Sequence, residues 1–232
     1  MTAQPGPDYR SAVGARRSDR TRQRLIRAAI LVVAKRGIGP SLIDNVAREA
    51  GVSRGTFYNH FPGVPELLEA ADRTLACEVM QLILGRIAPI ADPAVAYATG
   101  LTLFLTAARN YPLVAQFSAQ VGLSKPEPLD LVQEVGTALL ERGIKTGRFV
   151  DIPVPLALGL ISWGVAMAMQ HQVQGTTFDI PVTIAALLRL LGVPPAEAAI
   201  LAARPVEPLR APANSLMALG HDAMQLDTMP SP

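Results

Sequence analysis

A cluster of strongly hydrogen-bonding side chains follows a glycine in the first quarter of the chain. The stretch VAREAGVSRGTFYNHF runs from Val46 to Phe61. Arg54 and Asn59 supply a fork-shaped donor and an amide, the groups that bind base edges in the major groove of DNA. Hydroxyl and imidazole groups, which bind phosphates, are present at Ser53, Thr56, Tyr58 and His60. Gly55, without a side chain, leaves room for a nucleic-acid backbone.

Two short helices are needed to place these groups. The apolar residues Ile43, Val46, Ala47 and Ala50 share a helical face, and Gly51 suits a tight turn with a positive φ angle. Ser41 with Asp44 resembles a capping box at the start of the first helix. Ser53 is a good N-cap for the second helix, in which Phe57 and Phe61 lie four residues apart and should pack inward.

Tyr58 or His60 alone would more often be a half-buried structural residue. The whole combination of a capped helix, a glycine turn, an inward phenylalanine pair and an outward polar set predicts a helix-turn-helix.

The charge of the chain is unevenly distributed along it. Residues 1–62 carry 11 Lys+Arg and 4 Asp+Glu, a net charge of +7, whereas residues 63–232 carry 10 and 15, a net charge of −5. Residues 1–17 show no periodicity and predict a flexible basic arm. A helix should begin near Ser18 or Asp19 and end at Gly37. Five arginines lie on this helix or just before it and could neutralise flanking phosphates. They are Arg16, Arg17, Arg20, Arg22 and Arg24.

The remainder of the chain predicts an all-α protein with two helical domains. Pro65 opens a helix that continues to about Gly85, and further helices are expected over 93–109, 112–123, 127–146, 155–173 and 180–192, with a short one after Pro194. The expected organisation is a basic arm (1–17), a helix-turn-helix domain (18–63), a larger helical domain (64–203) and a poorly packed, proline-rich tail (204–232).

Several classes of protein are disfavoured. Cys77 is the single cysteine, which excludes an internal disulfide and fits the cytoplasm. The three histidines are not at metal-ligand spacing and no phosphate-binding glycine loop occurs, so we predict neither an enzyme nor a bound metal or cofactor. The N-terminus lacks the apolar run of a signal peptide. Pro155 to Met169 is too short to span a bilayer and predicts a buried helix.

Three segments, TRQRLIRAAILVVAKRG, VAREAGVSRGTFYNHF and PELLEAA, resemble the N-terminal DNA-binding domain of TetR-type (tetracycline-repressor-like) transcriptional regulators. The resemblance covers about residues 19–72. It implies a homodimeric regulator, usually a repressor, that binds a palindromic operator in double-stranded DNA through Ser41 and the residues named above. It also implies a second helical domain that encloses a ligand and dimerises through helices near 155–173 and 180–192.

Two residues depart from the family pattern. Val33 replaces a usual aromatic residue, and Val64 replaces a usual lysine that contacts phosphate. The arginines of the first helix should compensate in part. The alternative is a helical small-molecule-binding protein that has lost DNA binding.

Candidate ligand residues are those that are large or polar within apolar helices. Phenylalanine and methionine at such positions are more often ordinary core, whereas a buried indole N–H or amide needs a partner that a ligand could supply. The candidates are Phe104, Tyr111, Gln116, Phe117, Gln120, Trp163, Met167 and Gln170. Because charges are sparse there, we predict a small lipophilic effector, neutral or weakly polar.

Overall fold

The computed structural model describes residues 7–122, 130–176 and 178–228, and all regular structure in these ranges is helical. The helices are α1 (Pro7–Arg36), α2 (Leu42–Ala50), α3 (Arg54–Tyr58), α4 (Val64–Ile87), α5 (Pro93–Asn110), α6 (Pro112–Gly122), α7 (Asp130–Lys145), α8 (Val154–Val173), α9 (Ile180–Leu190), α10 (Pro195–Ala202) and α11 (Leu216–Thr228). The all-α class is therefore confirmed. The predicted start of α7 at 127–129 lies outside the described residues.

The chain divides into two compact units, Met1–Ala71 with Asp222–Pro232, and Asp72–His221. The division falls inside α4, whereas the sequence places the domain boundary at the start of that helix. In the first unit, α1 packs on α2 and α2 on α3. Leu25, Ile30, Val46 and Phe57 have no exposed surface there, which gives this small unit a continuous apolar core.

The second unit is built around α5, α8 and α9. Their buried faces meet in one apolar cluster that includes Leu105, Leu158, Ile184 and Leu188. Asp92 begins α5 by accepting hydrogen bonds from the N–H groups of Ala94 and Val95, and Pro93 occupies the first turn.

The prediction of a flexible arm before Ser18 is wrong for residues 7–17, which form the first turns of α1. Pro7 stands at the first helical position, where its fixed φ angle and missing N–H are tolerated. Gly14 weakens a helix interior but does not end it.

The expected poorly packed tail is also wrong. Leu209 and Met217 are buried, and the hydroxyl of Tyr111 accepts a hydrogen bond from the Ala211 N–H at 3.0 Å. Side chains from α4 and from the end of α5 hold this segment in place.

The helix expected over 155–173 is found as α8 (Val154–Val173), but its apolar stretch from Pro155 to Met169 is buried on one face only. α8 has 20 residues, and by length and composition it could cross a membrane, although a core helix of a soluble protein meets the same criterion. Its buried face, with Ala157, Ile161 and Met169, belongs to the core of the second unit.

Candidate nucleic-acid interface

The turn between α2 and α3 depends on Gly51. This residue has φ = +62°, a left-handed conformation in which a residue with a side chain would be strained. The N–H of Gly51 donates to the Arg48 carbonyl, and the N–H of Val52 donates to the Ala47 carbonyl at 2.9 Å. These bonds satisfy the last carbonyls of α2 and turn the chain directly into α3.

Ser53 starts α3 as the sequence predicts. Its side chain accepts a hydrogen bond from the Thr56 N–H at 3.0 Å, and its hydroxyl lies 2.9 Å from the Thr56 hydroxyl. Ser41 makes no such bond at the start of α2, so the predicted capping box is wrong. The carboxylate of Asp44 pairs instead with Arg54 of α3.

Two phenylalanines fix which side of α3 faces outward. Phe57 and Phe61 are buried, with ring centroids 6.0 Å apart, as predicted from their spacing. α3 is shorter than the sequence suggests and ends at Tyr58, with Asn59 as its C-cap. The residues left at the surface are Arg54, Gly55, Tyr58 and Asn59, with Thr56 and His60 half-buried beside them.

Gly55 has open space where a side chain would stand. A Cβ built there would meet the Ser53 hydroxyl oxygen at 3.7 Å, an ordinary contact. Nothing in the described part of this unit therefore requires a glycine at position 55. A close approach by a partner outside the protein would require one.

The Arg54 side chain is held by an ion pair with α2. Its Nη1 lies 3.1 Å from Oδ1 of Asp44 in α2, and both side chains are partly exposed. A hydrogen bond to the Tyr58 side chain, then the charge of Asp44, raises the pKa of the Arg54 guanidinium. The sequence pattern misses this role of Asp44, which it assigns to helix capping.

The arginines of α1 are exposed at Arg16, Arg17, Arg20 and Arg22. The guanidinium of Arg22 lies over the Phe61 ring, 4.9 Å from its centroid. Arg24 donates a hydrogen bond to the Ala50 carbonyl and so stabilises the end of α2. Arg24 therefore has a structural contact within this unit.

The predicted ligand residues do not share one environment. Phe117 is fully buried in α6, and Phe104, Gln116 and Gln170 are half-buried. Tyr111 uses its hydroxyl to hold Ala211, so its polar group already has a partner within the protein. The side chain of Gln120 lies outside the described residues.

Trp163 is 42% exposed, so its indole N–H is not the buried donor that the sequence predicts. Trp163 and Met167 lie on the outer face of α8 with Leu156 and Leu160, at helical spacing. We call these four residues the α8 stripe. Gln172, which the sequence does not single out, donates to the Ala108 carbonyl at 2.8 Å and joins α8 to α5.

Comparison with known proteins identifies the N-terminal region. Residues 25–71 match the family described as "Bacterial regulatory proteins, tetR family". The regulator SrpR of Pseudomonas putida is 45% identical over 56 residues. Residues 25–71 thus carry the DNA-binding region of the TetR family. The uncharacterised regulator TtgW, also of Pseudomonas putida, is 48% identical over 50 residues.

The chain matches these curated relatives over only part of their length, 26% of SrpR and 37% of TtgW. Solved structures extend the similarity to both domains. RolR in complex with resorcinol superposes with a TM-score of 0.74 and 28% identity, over 83% of this chain and 98% of RolR. RolR without ligand superposes with a TM-score of 0.69 and 29% identity, over 79% of this chain and 97% of RolR.

Proposed function

We propose that this TetR-family protein is a DNA-binding transcriptional regulator, a homodimeric repressor that a small lipophilic ligand releases from a palindromic operator. The observation that carries this proposal is the geometry of α3. Its apolar face is buried through Phe57, its start is capped by Ser53, and its polar face is open to solvent. A solvent-exposed helix of this kind, after a glycine turn, is suited to the major groove.

Each exposed group has a separate role in this proposal. Arg54 and Asn59 contact base edges, because a guanidinium and an amide can each form two hydrogen bonds with a base. Gly55 lets the backbone of α3 approach the DNA. Phosphates are bound by Ser41, Ser53, Thr56, Tyr58 and His60, and flanking phosphates by Arg16, Arg17, Arg20 and Arg22.

A second copy of the chain is needed to bind both halves of a palindrome. Two recognition helices must lie about 34–36 Å apart to enter successive major grooves. The α8 stripe supplies an exposed apolar surface for this contact, and α9 adds Val182, which is 66% exposed. We therefore assign dimerisation to helices near 155–173 and 180–192, within a ligand-binding domain that extends from about residue 64 to 203.

The ligand is proposed to be small, lipophilic and uncharged. The similarity to RolR, which has been solved with resorcinol, supports a small neutral ring compound as the effector class. The interior of the second unit is apolar near Phe104 and Phe117. Release requires the ligand to bind the conformation that does not fit the operator more tightly than the one that does. The regulator is expected to act in the cytoplasm, where its operator lies, and to carry no enzymatic activity.

The test is fluorescence anisotropy on DNA selected from a random pool by the wild-type protein, across a salt series. With about 8 phosphates neutralised per dimer, log affinity should fall against log salt with a slope of about −7. Tyr58→Ala should abolish tight binding. Loss of the complex on adding neutral ring compounds, and not small polyanions, would support the ligand class.

The alternative of a ligand-binding protein without DNA function rests on Val64. It is half-buried at the first position of α4, where the family usually has a lysine. If the wild-type protein enriches no DNA sequence and binds ligands normally, this alternative replaces the proposal.

A further inference from the structure

The ion pair between Asp44 and Arg54 has a position that stability alone does not explain. It joins the first turn of α2 to the first residue of α3, with Nη1 and Oδ1 3.1 Å apart. Relative exposure is 60% for the Arg54 side chain and 45% for Asp44. Exposed ion pairs contribute little to folding stability, because water screens the charges and two side chains lose freedom.

The arrangement leaves most of the Arg54 fork free. A guanidinium has five N–H donors in a rigid plane, and the Asp44 contact engages Nη1. Tyr58 lies four residues after Arg54, on the same side of α3. Asp44 thus restricts the side chain of Arg54, while the remaining donors stay available for a guanine, which accepts at O6 and N7.

A carboxylate at this place also opposes binding to DNA in general. Asp44 is an acidic residue in the unit that carries the basic N-terminal region, close to the helix proposed to enter the groove. Phosphates repel its negative charge at every DNA sequence that the protein binds. Such a repulsive element penalises non-cognate DNA more than cognate DNA, on which Arg54 is engaged by a base.

We propose that Asp44 is a specificity-determining residue, which positions Arg54 to bind a guanine in each half-site and weakens binding to other sequences. This inference rests on the proposed DNA binding. Asp44 acts through Arg54, so it is a positioning residue and needs no base contact of its own. The base pair affected should occur twice in the operator, related by the two-fold symmetry of the dimer.

The experiment compares variants of the full-length chain on three kinds of DNA. The operator is first selected by the wild-type protein from random sequence. Binding is then measured on this operator, on a set with each half-site position changed in turn, and on scrambled DNA, at one salt concentration. Asp44→Asn keeps the shape of the side chain and removes its charge. Glu49→Gln removes an exposed charge from the same helix and is the matched control.

Asp44→Asn should bind scrambled DNA several-fold more tightly, and its preference for one guanine position should fall about tenfold, within the range of a single base-pair mismatch. Arg54→Ala should lose the preference at that same position. Asp44→Asn combined with Arg54→Ala should discriminate there no worse than Arg54→Ala alone. Glu49→Gln should change affinity uniformly and leave the position profile unaltered.

Other outcomes overturn the inference. If Asp44→Asn leaves the position profile unchanged, or weakens binding equally at all positions with a lower melting temperature, Asp44 serves α2 and does not position Arg54. If the wild-type protein selects no DNA, the proposed function fails first, and the inference about Asp44 fails with it. Wild-type binding therefore separates the two failures.

Discussion

The carboxylate of Glu78 caps the helix that begins at Leu216. Its two oxygens accept hydrogen bonds from the N–H groups of Leu216 at 3.0 Å and Met217 at 3.1 Å. A side chain of α4 thus satisfies backbone donors of α11, far away in the sequence, and the positive end of the α11 dipole meets a negative charge. This contact explains why a proline-rich segment ends in an ordered helix.

Removing this cap should loosen α11. We expect Glu78→Ala to lower the free energy of unfolding by about 1 kcal/mol, a usual cost for loss of an N-cap. For a chain of this size, that corresponds to about 2–4 °C in melting temperature. Hydrogen exchange should accelerate at the amides of 216–219. Glu141→Ala, at an exposed site on α7, is the control, and equal exchange in both variants would contradict the capping role.

Two glycines of the helix-turn-helix should respond oppositely to alanine. Gly55→Ala should leave the melting temperature unchanged or slightly raised, since the new Cβ meets no atom closer than 3.7 Å and alanine favours a helix. DNA affinity should fall at least about tenfold, because the methyl group occupies the space proposed for the DNA backbone.

Gly51→Ala should instead destabilise the fold by about 1 kcal/mol, since φ is +62° and Arg24 Nη2 would lie 3.2 Å from the new Cβ. Melting curves and anisotropy titrations on both variants separate the two effects. Normal DNA affinity in a folded Gly55→Ala protein would refute close approach of the backbone.

The α8 stripe should control assembly. Leu160 and Trp163 are 44% and 42% exposed, and a charge placed there could not be buried without a partner. Leu160→Glu should give a folded monomer in sedimentation at micromolar concentration, with helical content retained. DNA affinity should fall because a monomer engages one half-site.

Ala138→Glu, on the exposed side of α7, should remain dimeric and serves as the matched control. A dimeric Leu160→Glu protein would place the interface elsewhere.

Acid should weaken the second unit through Asp92. Burial, the largest single influence, would raise the pKa of this carboxyl. The N–H groups of Ala94 and Val95 and the Arg148 guanidinium together outweigh it, so the pKa lies below its ordinary value of 3.8. Because the folded-state pKa is depressed, the stabilisation is present above about pH 3.8 and is lost as the pH falls through the lower folded value.

Asp92→Asn should keep the N-cap and lose the ion pair, with Arg148 Nε 3.1 Å from Oδ2 in the wild type. We expect a loss of up to about 1 kcal/mol near pH 7, since the pair is partly exposed. Urea unfolding at pH 7 and pH 3 should show this difference shrinking in acid. Asp179→Asn makes the same change at the N-cap of α9, where the carboxylate accepts from the Val182 N–H. If the stability difference between the wild type and Asp92→Asn were the same at both pH values, the ionised carboxylate would be ruled out as its cause.

The sequence alone determined the recognition region, because its signals are local. The φ angle of Gly51, the Ser53 cap and the four-residue spacing of Phe57 and Phe61 each act within one turn of helix, and each is found as expected. The all-α class followed in the same way from helical periodicity and from proline and glycine at the junctions.

Only the tertiary structure decided which residues meet across elements. Asp44 could cap its own helix or pair with α3, and the sequence provides no means of choosing between these local and non-local partners. The tail looked unstructured because its partners, Glu78 and Tyr111, lie far away in the chain. Trp163 looked buried because α8 is apolar on every side, and only the packing of α5, α6, α7 and α9 against it determined which face stayed exposed.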